Sequence, residues 1–297
     1  MPSRKPSMAN SQPLVSVVIS CYNHENYITD CIKSVLTQTY SNIELIVIDD
    51  GSKDKSPEIL KALSQKFNFF FKHRENKGLA ASLNEAITHA KGKYICPLGS
   101  DDIILHDKIE KQVNFLEKRE DIAVCGGNII CIDEQNQVKS KQRLKPYREV
   151  DFHKMFTHSK EGPAAPTVMI RAEVLNKVGG FDTDIRLEDL NLWLKITSHG
   201  YKIAVLSDIL AYYREHGNNT YKNYQLMTEE ILKTYHKYKD KPDYLKVKNQ
   251  FLLSMFVKTS KKDAKYALTI LRSINPKFYN IKVVKGLLNL PVSYLKK

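Results

Sequence analysis

The chain has 297 residues, 42% hydrophobic and 27% charged, with a net charge of +13. That is enough for a packed core in one large or two modest domains. Nowhere do eighteen apolar residues run together, so no transmembrane helix is predicted, and none of the five cysteines forms a Cys-x-x-Cys pair, which argues against zinc. The charge is uneven: residues 221–297 hold 17 Lys/Arg against 5 Asp/Glu, a net of +12, whereas residues 1–220 are nearly neutral. Such a basic stretch suits an anionic partner.

Residues 1–12 are polar and read as a disordered lead-in. Leu14 to Ile19 is β-branched and nearly continuous, as in a strand covered on both faces, and is too short for a signal h-region. Cys21-Tyr22-Asn23-His24 turns into a helix from Glu25 to Gln38. A strand from Glu44 to Ile48 ends in Asp49-Asp50-Gly51-Ser52. A helix from Ser56 to about Lys66, a strand from Phe67 to Lys72 and a helix from Leu79 to Ala90 follow. Tyr94 to Leu98 is a strand that ends in Gly99-Ser100-Asp101-Asp102. This alternation predicts an α/β fold with a mainly parallel sheet. Cys21, Cys96 and Cys125 fall in or beside strands and are expected to be buried and reduced.

Further on, His106 to Arg119 reads as a helix, and Ile122 to Cys125 and Ile129 to Ile132 as strands parted by Gly126-Gly127, a bulge or a close backbone approach. Residues 134–165 read as irregular. A strand at Thr167 to Ile170 precedes a short helix from Ala172 to Val178, stopped by Gly179-Gly180. Glu188-Asp189 opens a helix through Leu190, Trp193, Leu194 and Ile196. Strands from Lys202 to Leu206 and Ile209 to Tyr213 lead to Arg214-Glu215-His216-Gly217-Asn218-Asn219. Helices then carry Tyr244, Val247, Phe251 and Met255, and span Ala264 to Ile274 and Ile281 to Leu290.

Ligands of such sheets collect beyond the carboxyl ends of the strands. Three of those ends are polar here. Asp101-Asp102 reads either as an acidic helix start or as ligands of a hard divalent ion shared with phosphates. Glu188-Asp189 reads either as another acidic helix start or as a general base. His216, just past a strand, is a candidate metal ligand. No Gly-x-Gly-x-x-Gly or Walker loop is present. Tyr22 and Asp50 offer a stacking ring and a base-edge acceptor for a nucleotide instead. The basic helices fit either packing on the rest of the chain or attachment to an anionic lipid surface.

Val15 to Asn23, Ile48 to Ser52, Asn76 to Leu79, Gly99 to Asp102, Glu188 to Trp193 and Tyr213 to His216, in this order, resemble the family 2 glycosyltransferases over roughly residues 13–217. The resemblance implies a GT-A domain over 13–220, a basic helical extension over 221–297, and inverting transfer of a sugar from a nucleotide donor. It places Ser20, Tyr22 and Asp50 around the nucleoside and Lys77 near the donor. Asp101 faces the ribose or the metal, and Asp102 and His216 hold a divalent ion, Mn2+ or Mg2+. Asp189 becomes the general base with Glu188 beside it. Many members have an acid where Gly99 stands. The implied partners are a nucleotide-sugar donor, a glycan or lipid-linked acceptor and, through 221–297, an anionic membrane surface. The implied setting is polysaccharide or lipopolysaccharide assembly on the cytoplasmic, inner face of the cell membrane, without nucleic acid. Two rivals are a sugar-phosphate nucleotidyltransferase, which usually begins with a glycine-rich loop, and a nucleic-acid-binding module using the basic tail.

Overall fold

The computed structural model describes residues 12–140, 144–217 and 222–290; the expected lead-in apart from Gln12, and the expected boundary between residues 220 and 221, lie outside them. The first half repeats a strand–helix unit: β1 (Val15–Cys21), α1 (Ile28–Leu36), β2 (Ile43–Asp49), α2 (Ser56–Phe67), β3 (Phe70–His73), α3 (Leu79–His89) and β4 (Tyr94–Gly99). Then come β5 (Ile103–Ile104), α4 (Lys108–Leu116), β6 (Ile122–Ile132), β7 (Val138–Ser140), β8 (Arg148–Val150), α5 (Phe152–Thr157), β9 (Met169–Arg171), α6 (Ala172–Lys177), α7 (Glu188–Ser198) and β10 (Lys202–Arg214). One mixed sheet has the order β3-β2-β1-β4-β9-β6-β10-β5, with β7 on β6 and β8 on β10.

β1 is central, parallel to β2 and β4, and Ser20 lies opposite Ile48 on one side and Gly99 on the other. Every residue of β1 is buried. Its side chains alternate between two layers, as strand geometry requires. Val18 joins Ile46, Ile48, Leu83, Leu175 and Trp193 under α3, α6 and α7. Val15, Val17 and Ile19 join Ile32, Leu60 and Ile109 under α1, α2 and α4. Each fully buried side chain of this size contributes about 1.5–3 kcal/mol, which is why a nearly unbroken apolar run forms the central strand.

β9 runs antiparallel to both β4 and β6, so β4 and β6 point the same way, and β10 is parallel to β6. The carboxyl ends of β1, β2, β4, β6 and β10 therefore share one edge of the sheet.

Several boundaries differ from the sequence reading. The strand expected from Phe67 starts at Phe70, because α2 runs on to Phe67 and Asn68 closes it in the left-handed region (φ 53°). The two strands expected around Gly126-Gly127 are one. A Cβ at Gly126 would lie 2.4 Å from the Pro163 ring, so the glycine permits close approach. The strands expected at 202–206 and 209–213 are also one, with register shifts between Val205 and Ala211. Residues 134–165 contain β7, β8 and α5. The two strands are only three residues long, too short to show a period-2 pattern.

The C-terminal part forms α8 (Tyr224–His236), α9 (Tyr244–Thr259), α10 (Ala264–Arg272) and α11 (Ile281–Asn289). Tyr235 and Val247, on α8 and the first turn of α9, pack into the layer that holds Trp193. The rest of α9 makes a separate cluster with α10 and α11 through Leu252, Phe256, Ala267, Ile270 and Val283. All five cysteines are buried, as suits a small apolar thiol.

Candidate active site

The loops after β1 and β2 are zipped together, and this sets the near side of the site. Asn23 adopts the left-handed region (φ 54°), which asparagine tolerates. Its N–H donates to Ser52 Oγ, its side chain accepts from Lys53 N, and His24 N donates to Ser56 Oγ. Asp49 is a structural acid: it accepts from Ser52 N and Ser52 Oγ, and meets His73 Nδ1 at 2.7 Å. Gly51 follows with φ 77°, and a Cβ there would lie 2.7 Å from Asn76 N, so only glycine lets the loop after β3 close down.

That closure engages Asp50. Its Oδ1 accepts from Arg74 Nη1 (2.6 Å) and Lys77 N (2.8 Å), and its Oδ2 accepts from Gly78 N (2.9 Å) at the start of α3. Arg74 is itself held by Glu85 and Ser82. Asp50 is thus a buried acid locked by a cation and two backbone donors, at the same edge as Ser20. Tyr22 is 46% exposed beside it. Lys77 is exposed; its backbone, rather than its side chain, makes the contact with Asp50.

Beyond β4 and β10 the structure assembles a second group. His216 Nε2 lies 2.9 Å from Asp101 Oδ2. One ligand atom from each of His24, Asp101 and His216 lies within 4.8 Å of the others. His24 Nδ1 is 2.7 Å from Ser100 Oγ. Tyr27 stacks on His216 with ring centroids 5.4 Å apart, and the Arg214 guanidinium sits 4.8 Å from the Tyr27 ring. Asp102 Oδ1 accepts from Arg214 N at 2.9 Å. Arg214, 1% exposed, also donates from Nε to the Asp101 carbonyl and from Nη1 to the Asp133 carbonyl. His216 Nε2 thus meets Asp101, while Asp102 Oδ1 meets the Arg214 backbone.

The charges follow from these contacts. Burial works against an ionised Asp101, but the hydrogen bond from His216 and the nearby imidazoles outweigh it and hold its pKa below the usual value. Burial, with the charge of Asp101 added, pushes Asp102 well up. Burial lowers the pKa of His24, and so favours the neutral, electron-donating imidazole. A Cβ on Gly99 would lie 2.9 Å from Asp101 Oδ1 and 3.0 Å from Asp102 Oδ2, so the two carboxylates fill the space a side chain there would need.

Glu188 and Asp189 form the first turn of α7, whose N-cap carries no side-chain hydrogen bond. α7 passes into β10 through residues 199–201, so its first turn lies toward the edge where the strands' carboxyl ends are. Asp189 Oδ1 accepts from Leu190 N at 2.5 Å. Loss of water raises both carboxyls. The charge of Asp189 adds to the effect on Glu188, which is pushed up to about 8. Asp189 ionises first, and Glu188 keeps its proton at neutral pH.

His24, Tyr27, Arg74 and Arg214 were given no role by the sequence reading. Only His24 carried a signal, a donor directly after the polar end of β1. A hollow of about 720 Å³ lined by Tyr40, Phe67 and Phe70 lies at the opposite edge of the sheet and holds none of these residues.

The Glycosyl transferase family 2 model matches residues 16–179. An uncharacterised glycosyltransferase of Methanocaldococcus jannaschii is 31% identical over 236 residues, covering 77% of this chain and 81% of that one. The putative glycosyltransferase EpsE of Bacillus subtilis is 34% identical over 212 residues, covering 69% and 74%. Among solved structures, S. aureus TarS 1–349 in complex with UDP-GlcNAc has a TM-score of 0.66 at 19% identity, over 94% of this chain and 82% of that one. The mannosyltransferase PcManGT from Pyrobaculum calidifontis, with GDP-Man and Mn2+, has a TM-score of 0.61 at 16% identity, over 97% and 86%. At such identities these two speak to the fold alone. The chain belongs to glycosyltransferase family 2 and is a glycosyltransferase with that family's GT-A fold.

Proposed function

We propose that the enzyme transfers a sugar, with inversion, from a nucleoside diphosphate sugar, a UDP-sugar foremost, to a hydroxyl of a glycan or lipid-linked acceptor in cell-surface polysaccharide assembly. The observation that carries this is the gathering of Ser20, Tyr22, Asp50, Asp101 and His216 along one strand edge. Polar groups for a nucleoside meet groups for a cation there. Tyr22 offers a ring face to the base, and Asp50 with its Arg74 partner borders the base edge. The UDP-GlcNAc of TarS and the GDP-Man and Mn2+ of PcManGT support a nucleotide-sugar donor and a divalent ion. The donor set is two imidazoles and a carboxylate within reach of one point, and it fits such an ion. Bound there, the ion would offset charge on the departing diphosphate. Asp189 accepts the proton of the attacking hydroxyl.

The test is turnover of UDP-, GDP- and dTDP-sugars by the full chain, read as released nucleotide. One donor is expected to be consumed, EDTA to abolish this, and Mn2+ or Mg2+ to restore it. Turnover that persists in EDTA would remove the metal from the scheme.

The acceptor side of the proposal includes a membrane surface on the inner face of the cell. No helix among the described residues is long and apolar enough to cross a membrane. On α11, however, Ile281 (77% exposed), Val284 (51%) and Leu288 (81%) form one outward apolar stripe. Lys282 and Lys285 belong to the same helix, within the strongly basic segment. An apolar stripe edged by lysines suits an anionic lipid interface. The chain is expected to sediment with vesicles containing phosphatidylglycerol but not with pure phosphatidylcholine. Replacing Ile281, Val284 and Leu288 with aspartate is expected to abolish the binding. Equal sedimentation of this variant and the parent would leave the stripe without that role.

A further inference from the structure

We propose that Glu230, on the first of the basic C-terminal helices, is a positioning residue for Asp189: it holds the turn from which the helix bearing that carboxylate starts. The inference rests on the reading of Asp189 as the base in the transfer proposed above. Residues 178–187 join α6 to α7. Leu187 is the N-cap of α7 and makes no side-chain capping bond. A helix start without a cap keeps unsatisfied donors and is defined only by what holds the chain outside it. Here the hold comes from α8. Glu230 Oε2 accepts from Arg186 N at 2.6 Å, one residue ahead of the uncapped Leu187.

The rest of the turn is held from two sides. Asn84 of α3 clamps Phe181, donating to its carbonyl at 2.8 Å and accepting from its N–H at 2.9 Å. Asp182 accepts from Lys195 Nζ of α7 and, at 2.7 Å, from Lys237 Nζ of α8. Lys233 Nζ of α8 donates to the Asp184 carbonyl. Glu230, Lys233 and Lys237 follow one another at three and four residues, so they share one face of α8. That face meets the turn along its length. Tyr235 anchors α8 in the apolar layer that holds Trp193 of α7, which fixes the two helices against each other.

Magnitudes separate placement from stability. Lys233 and Asp184 are 47% and 59% exposed, and pairs so open to water add little to folding. A base is far more sensitive to where it stands. A displacement of roughly 1 Å costs about 100-fold in rate. The contacts of α8 therefore matter for the geometry of the first turn of α7 more than for the melting of the chain.

The experiment uses the full chain and whichever of the UDP-, GDP- and dTDP-sugars it consumes, read as released nucleotide. Glu230→Ala is expected to lower kcat by about 10–100-fold, with the KM for the nucleotide sugar and the melting temperature near those of the parent. Glu230→Gln keeps an acceptor for Arg186 N and is expected to restore most of kcat. In an Asp189→Asn background, Glu230→Ala is expected to cost no further activity, because residues that act as a unit are not additive. Hydrogen exchange gives a readout independent of turnover: the amides of Arg186 and of the first turns of α7 are expected to exchange faster in Glu230→Ala. Parental kcat in Glu230→Ala, or an undiminished further loss in the Asp189→Asn background, would overturn the positioning role and leave the transfer reading intact. Faster exchange in Glu230→Ala beside a parent that consumes no nucleotide sugar would uphold Glu230 as the residue that places Asp189 and sink the transfer reading.

Discussion

Asp189→Asn is expected to lose turnover by about 10²–10⁴-fold at neutral pH, the contribution of a positioned base, while donor binding is kept. Asparagine preserves the size of the side chain and the acceptor for Leu190 N, so the loss reports the missing charge rather than a disturbed helix. Glu188 has a different part. Pushed up to about 8 by burial and the charge of Asp189, it is protonated at pH 7. Glu188→Gln copies that protonated state and is expected to keep most of the activity at pH 7.

The same shift fixes a pH dependence of stability. A carboxyl whose folded pKa stands above its unfolded value, ordinarily about 4.3 for Glu, binds its proton more tightly in the fold. Its stabilising effect is full below the unfolded value and is lost as pH rises through about 8. Melting temperatures measured from pH 5 to 9 are expected to fall across this window, and Glu188→Gln is expected to remove its share of the fall. An inactive Glu188→Gln beside an active Asp189→Asn would exchange the two roles.

Arg214→Met is expected to cost about 3–5 kcal/mol of stability, the range for removing one partner from a buried charged network. The guanidinium is 1% exposed. It serves the carbonyls of Asp101 and Asp133 and lies over Tyr27. Methionine fills the volume but leaves those carbonyls buried without their donors, and it takes a positive charge away from Asp102. Arg214→Lys is expected to recover little, because an ammonium cannot present the planar fork that reaches both carbonyls. Because the Asp101 backbone hangs on this side chain, Mn2+ affinity is expected to fall with it. Urea midpoints equal to those of the parent would show that the network carries no such weight.

The parts of the fold that were readable share a physical cause. β1, β2 and β4 are covered on both faces, so they appear as apolar runs, and their polar ends stand out against them. The edge strand β3 is largely exposed and lost its boundary to the helix before it. β7 and β8 are held by pairing with β6 and β10 rather than by any pattern of their own.

The site divides the same way. Adjacent acids announce themselves, but the partner that holds Asp102 Oδ1 is the Arg214 backbone, 112 residues away. Arg74 reaches Asp50 only once Gly51 lets two loops meet. His24 gains its place from Ser56, at the start of α2, and from Ser100, beyond β4. Contacts of this kind belong to tertiary structure and leave no local periodicity to read.

The split apolar packing at the end of the chain has a mechanical consequence. The second half of α9, with α10 and α11, buries its side chains mainly among themselves, so this segment can loosen as one body at a lower free energy than the sheet. Its amides should exchange with solvent earlier than those of β1 and β4. A pull or a wedge applied at α11 would then be absorbed before it reached the polar residues at the carboxyl ends of β1, β2 and β4.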